Sequence, residues 1–327
     1  MGRRVLFKCL PTFKFRGSRH LPSSDNYDEY ARGFCFSLSE DLENLGKTLV
    51  KSSVSLKWAA EAMNLLKRMQ VEFFTLVEKL KLPISLEGED WLDHYMKETV
   101  ALLDFCNLLK TAISPVERHC LEVEFMARRI SDDPLDASYK AEIKRLEGEC
   151  GYLDLSGGIN QKLQDVRLDT VISSGIKFKK GTNPVLYVVN ITMIIVSLLV
   201  VSAVVAPVSI DMDGELRSEF PQMFSFVSSL RILVCAFRER IRRSEGDSGV
   251  INVSEHEMVQ RAFENVKAQA NEDREKVLRS LVLLKKQCID LKEGLEAFGS
   301  TVDEVFEEVI KGRKKMMDMF NASFVKQ

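Results

Sequence analysis

Thirty consecutive residues, Gly181 to Ile210, carry no charge, while 29% of the whole chain is Asp, Glu, Lys or Arg. At the centre of this stretch, segment 184–207 contains Val185, Leu186, Ile191, Ile194, Ile195, Leu198, Leu199, Val204 and Ala206. Of the 22 residues from Val185 to Ala206, 14 are Val, Ile or Leu. Coiled as a helix they run about 33 Å, the depth of a bilayer's hydrocarbon core. Many are β-branched, but a strand of this length is unusual, and in lipid only a helix satisfies its own backbone. A helix that is apolar all round must be enclosed by lipid or by protein. Three arrangements meet that demand: a single span, a re-entrant hairpin, or the buried central helix of a bundle. Lys177, Lys179 and Lys180 precede the segment and Asp211, Asp213 and Glu215 follow it. For a span, that asymmetry places the N-terminal half in the cytosol.

The flanking sequence is helical in pattern. From Leu38 to Leu80 apolar residues recur at alternating spacings of four and three, interrupted by Ser52 and Gln70. From Val259 to Val309 the same pattern returns, interrupted by Asp273. Such a period predicts two long helices in coiled-coil-like packing. Between them, Asp90–Thr111 reads as one helix, and "SPVE" reads as the start of the next, with Ser114 as cap and Pro115 in its first turn. "SDDP" starts another in the same way, and Ser254 with Glu257 forms a further capping box. Gly and Pro are scarce, at 17 and 8 residues, which disfavours a turn-rich β fold. The expected fold is all-α, an elongated antiparallel helical bundle. Its two long heptad-patterned helices flank one very hydrophobic central helix in sequence. A basic arm, 1–33, precedes a single domain, 34–327.

Known chemical motifs are missing from the sequence. It has no Gly-rich phosphate loop, no GxSxG and no HExxH. Its seven cysteines are scattered without a CxxC, and most fall at apolar helical positions, as in a reduced, cytosol-facing protein. His94, Cys106, His119 and Cys120 lack tetrahedral ligand spacing, so the cysteines read as core residues and the four histidines, His20, His94, His119 and His256, as surface residues. No cofactor or metal is expected. The net charge of −2 does not suit nucleic acid. The first 24 residues, basic and interleaved with aromatics, suit a disordered tail, a lipid-touching arm or a chloroplast transit peptide.

The stretch "DWLDHYMKETVALLDFCNLLK" carries a resemblance. Trp91, Leu92, Asp93 and Tyr95, then Leu103 and Asp104, then Cys106 and Asn107, are similar to the helix signature of the plant BYPASS family. The likeness runs from about Phe34 to the end of the chain. It implies a non-enzymatic developmental regulator that restrains a mobile root-to-shoot signal arresting growth, with other relatives linked to the exocyst. The expected partners are proteins docking on amphipathic helices, exocyst subunits among them, a membrane, and a second copy of the chain. The expected location is the endoplasmic reticulum or another endomembrane, with the cytoplasm or chloroplast as alternatives.

Overall fold

The computed structural model describes residues 4–5, 24–51, 53–80, 91–132, 141, 143–145, 184–205, 209–210, 223–244, 253–269 and 274–324. They form helices α1 (Ser24–Lys51), α2 (Leu56–Leu80), α3 (Trp91–Asp132), α4 (Pro184–Val204), α5 (Phe224–Ser244), α6 (Ser254–Gln269) and α7 (Arg274–Phe324). Arg4–Val5 and Ser209–Ile210 form a two-residue parallel pairing, β1 and β2. The architecture is an all-α bundle, as the pattern predicts. α1 starts at Ser24, inside the segment read as the arm. The helix expected from "SDDP" lies largely outside the described residues, although Ile143 is buried.

The Leu38–Leu80 stripe folds as a hairpin of two helices. The chain reverses between Lys51 and Leu56, and α2 returns along α1. Ser37 Oγ donates to Glu72, Arg68 pairs with Asp41 at 3.0 Å, and the Trp58 indole N–H donates to Leu45 O at 3.2 Å. The 4-3 spacing survives the turn because both helices bury the same kind of face in one core. Ser55 caps α2 by accepting from the Trp58 N–H at 3.2 Å. The start of α6 closes this joint: Ser254 N–H donates to Val54 O at 2.9 Å, and the Glu255 carboxylate accepts from Leu56 N–H at 3.2 Å. The anticipated Ser254–Glu257 box is therefore replaced by a tie between two helices, with Ser254 Oγ on Glu255.

Two further boundaries differ from expectation. α3 runs unbroken through Pro115, so Ser114 is not a cap. An interior proline costs about 3 kcal/mol, but Ala112, Ile113, Val116 and Cys120 on both sides of it are buried, and burial of that continuous face offsets the loss. The Val259–Val309 stripe instead breaks near Asp273, giving the α6–α7 hairpin, where Ser280 Oγ bonds to Gln269.

α7 is the long stave. Its 51 residues span about 76 Å as a helix. It runs parallel to α2: Leu56 lies against Gly294, Lys67 pairs with Glu304 at 2.6 Å, Phe74 packs on Gly312, and Lys315 reaches Glu78 at 3.8 Å. It runs antiparallel to α3, where Lys110 pairs with Asp303 at 2.6 Å and Ile113 lies against Gly299. α5 runs parallel to α1, with Ser225 beside Ser39, Ser229 donating to Glu43 and Leu233 against Gly46. The two heptad stripes thus touch within one chain.

Gly312 is where this packing is tightest. A Cβ there would overlap the Phe74 ring, which is itself held edge-on to Tyr95 at 5.8 Å. Gly312→Ala is expected to destabilise by about 1–3 kcal/mol in denaturant melts, despite alanine's better helix propensity. Gly33→Ala, where a Cβ meets nothing within 4 Å, is expected to stabilise by up to about 1 kcal/mol.

Candidate functional site

The apolar helix α4 sits in a cradle made by α2 and α3, with α1 and α5 completing it. Val185, Leu186, Ile191, Ile194, Ile195, Leu198 and Leu199 are buried, while Val204, at the end of the helix, is half-buried. Ile195, at its middle, is 1% exposed. Ala206 lies outside the described residues. α4 is long and apolar enough to cross a membrane, and so is the stretch Leu92–Arg129 of α3. In the bundle, 89% of the apolar window of α4 is buried, against 50% of that of α3.

A polar seam fixes α4 in this apolar cradle. Gln70, which interrupts the α2 stripe, is fully buried: its Oε1 accepts from Tyr95 Oη at 3.1 Å, and its Nε2 donates to Met193 Sδ at 3.1 Å. One turn earlier on α4, Asn190 Nδ2 lies 2.7 Å from His94 Nε2. That nitrogen lies 3.9 Å from the carboxylate of Glu98, itself buried. Thr99 donates back to Tyr95 O, and Arg313 from α7 donates to Met96 O and to Thr99 Oγ1. Tyr95 stacks on Phe73 at 5.4 Å. Burial raises the Tyr95 pKa, against the smaller opposite pull of Arg313, so the phenol stays a donor. Burial, followed by the charge of Lys97, lowers that of His94 against the opposing effect of Asp93.

The motif residues therefore divide by helix face. Leu92, Tyr95 and Cys106 point into the core and Leu103 is half-buried against it, whereas Asp93, Asp104 and Asn107 are exposed. Asp93 pairs with Lys97 at 2.5 Å along the helix surface, and Asn107 O accepts from Thr111. Trp91 opens α3, and its side chain lies outside the described residues. The seam positions helices: it fixes the rotation and axial register of α4, which apolar contacts alone leave loose. The sequence shows Gln70 only as a break in an apolar stripe; a polar residue on a face that must be buried, as Gln70 and Asn190 both are, is the signal that finds the seam.

A second buried cluster lies where α3 meets α6 and α7. His119 and His256, read from the sequence as surface residues, are 7% and 5% exposed. Each lies on a helix face that turns inward once α6 folds back on α7. Burial, and for His119 also the neighbouring His256, depresses both imidazoles to about 4. The Cys288 thiol beside Cys120 lowers the Cys120 pKa against burial, while burial pushes the Cys106 thiol up to about 12 and that of Cys35 to about 11. Cys35, Cys106, Cys120 and Cys288 are buried as expected, and Cys235 is exposed. Among the described residues, no three His, Cys, Asp or Glu side chains gather as a metal site. An open groove of about 410 Å³ between α2 and α7 is lined by Lys67, Arg68, Glu72, Glu304, Glu308 and Lys311, among others.

Two outcomes follow from this geometry. Asn190 Oδ1 is buried without a partner. Asn190→Leu removes an orphan that costs about 1–3 kcal/mol and frees His94 only to partial exposure, so it is expected to raise the unfolding free energy. The two buried histidines are neutral in the fold and titrate near 6.5 when unfolded. Their contribution to stability is therefore full above about 6.5 and is lost as pH falls toward about 4. Unfolding free energies of the wild type minus those of a His119→Leu/His256→Leu variant, measured across that range, should decline on acidification.

No family model matches the chain, and no solved structure matches it. UPF0496 protein 4 of Oryza sativa subsp. indica and that of subsp. japonica are similar, each 25% identical over 133 residues. The match covers 41% of this chain and spans 28% of the length of the rice proteins.

Proposed function

We propose that the chain is a non-enzymatic plant regulatory adaptor: a helical scaffold that encloses its own apolar helix and acts through its outer faces. The observation that carries this reading is the use made of the motif residues. Leu92, Tyr95 and Cys106 are spent on packing, and Tyr95 reaches α4 through Gln70. A residue set used in this way builds a scaffold. The resemblance to the BYPASS family, and the plant source of the two similar rice proteins, fit a developmental role in which the protein restrains a long-range growth signal.

Burial of α4 favours the cytoplasmic, exocyst-linked form of this reading over a permanent endomembrane span. The outer faces offer material for docking helices. Phe36 on α1 and Phe224 on α5 are 68% and 74% exposed near the same end of a parallel helix pair. Exposed aromatics on adjacent helices suit an amphipathic partner helix, from an exocyst subunit or a second copy of the chain.

Alkaline carbonate extraction of the expressed protein should release the enclosed population into the soluble fraction, and complete retention in the pellet would contradict the enclosed fold. Affinity purification from plant cells should recover exocyst subunits. A Phe36→Asp/Phe224→Asp variant should recover far fewer, and equal recovery would remove that face from the proposal.

A further inference from the structure

The helix α4 satisfies two solvents. A core helix must be apolar where it is buried, yet nothing in a bundle requires the charge-free stretch to extend beyond the helix. Here it continues on both sides, from Gly181 to Ile210, with cationic residues before it and acidic residues after it. The 22 residues from Val185 to Ala206, as a helix, measure about 33 Å, the depth of a bilayer's hydrocarbon core, and the charged residues fall outside them on both sides. Of the buried polar residues on α4, Thr192 is satisfied within the helix by Val188 O, a bond it keeps in any environment. Asn190 and Met193 bond outward, to His94 and Gln70.

The cradle, in contrast, is tied together by bonds that do not involve α4. Asp41–Arg68 joins α1 to α2, Lys67–Glu304 joins α2 to α7, and Lys110–Asp303 joins α3 to α7. The Val54–Ser254 and Leu56–Glu255 hydrogen bonds close the joint. Apolar contacts, which dominate the seating of α4, are non-directional, and acyl chains can replace them for this helix and for the vacated cradle walls held against the same bilayer.

We propose that α4 is a releasable membrane anchor: a lipid bilayer is the alternative partner for this helix, which leaves its cradle and inserts while α1, α2, α3, α5 and α7 stay assembled. The proposal rests on the reading that the resting fold encloses α4. A bilayer binds only the released state and shifts the population toward it.

The test uses the full chain purified without detergent, with an environment-sensitive fluorescent amino acid in place of Tyr187. It is mixed with phosphatidylcholine–phosphatidylserine vesicles whose acyl chains are brominated. The bromines should quench the probe. Ser197 is half-buried in the bundle and lies near the middle of the apolar segment. Ser197→Arg should therefore leave the melting temperature nearly unchanged yet weaken vesicle partitioning roughly a hundredfold, the penalty of a mid-bilayer cation. Val204→Arg, near the end of the segment, should partition much closer to wild type, because its side chain reaches the interface. That dependence on depth is a signature that damage to the fold does not produce. The proposal is overturned by an unquenched probe, or by quenching that Ser197→Arg leaves intact. A detergent-free chain that melts cooperatively but is never quenched refutes release alone and leaves the enclosed fold standing. A chain that stays in solution only with detergent refutes both.

Discussion

The molecule is organised around the problem of solvating a helix with no polar face. α4 presents apolar side chains on every side, so any face left in water costs about 25 cal/mol per Å² of apolar surface. A sheet or a single partner helix leaves part of it bare; a surrounding set of amphipathic helices does not. The α1–α2 hairpin, α3 and α5 supply that set, and each turns its stripe inward. The parallel course of α7 along α2, and its antiparallel course along α3, then hold the two principal walls of the cradle at a fixed separation. At Gly294, Gly299 and Gly312 α7 lies close enough that an added Cβ would meet Leu56, Ile113 and Phe74.

Hydrophobic enclosure does not choose a register, and the seam from Gln70 through Tyr95, Met193, Asn190 and His94 does. These groups are costly to bury, and one atom, Asn190 Oδ1, remains without a partner. A buried polar network that is paired almost throughout contributes little net stability but penalises every misaligned arrangement of the helix. The same weakness in net energy makes the seam compatible with a helix that can be withdrawn.

Much of this is legible in the amino-acid sequence. The apolar segment announces its helix, the first heptad stripe announces faces that cover it, and the second announces the helices that brace the cradle from outside. Three features were hidden. The turn after Lys51 was masked because a hairpin that buries both arms in one core keeps the 4-3 phase of a continuous helix. The passage of α3 through Pro115 was hidden because local rules weigh a lost N–H against propensity, whereas here a buried face on both sides of the proline decides. The burial of His119 and His256 depends on α6 folding back over α7, a long-range event with no local signal. The inward half of the DWLDHYMKET motif was readable from its spacing, while the bond from Tyr95 to Gln70 joins residues on two different helices and becomes visible only once they pack.

The most direct measurement is amide hydrogen exchange over residues 184–204 in the full chain, purified and held in aqueous buffer without detergent. If the surrounding helices enclose α4, its amides exchange among the slowest in the molecule, alongside those of α2 and the C-terminal half of α7. Rapid exchange of α4 in water, or protection that develops only when micelles are added, would contradict enclosure by the chain's own helices.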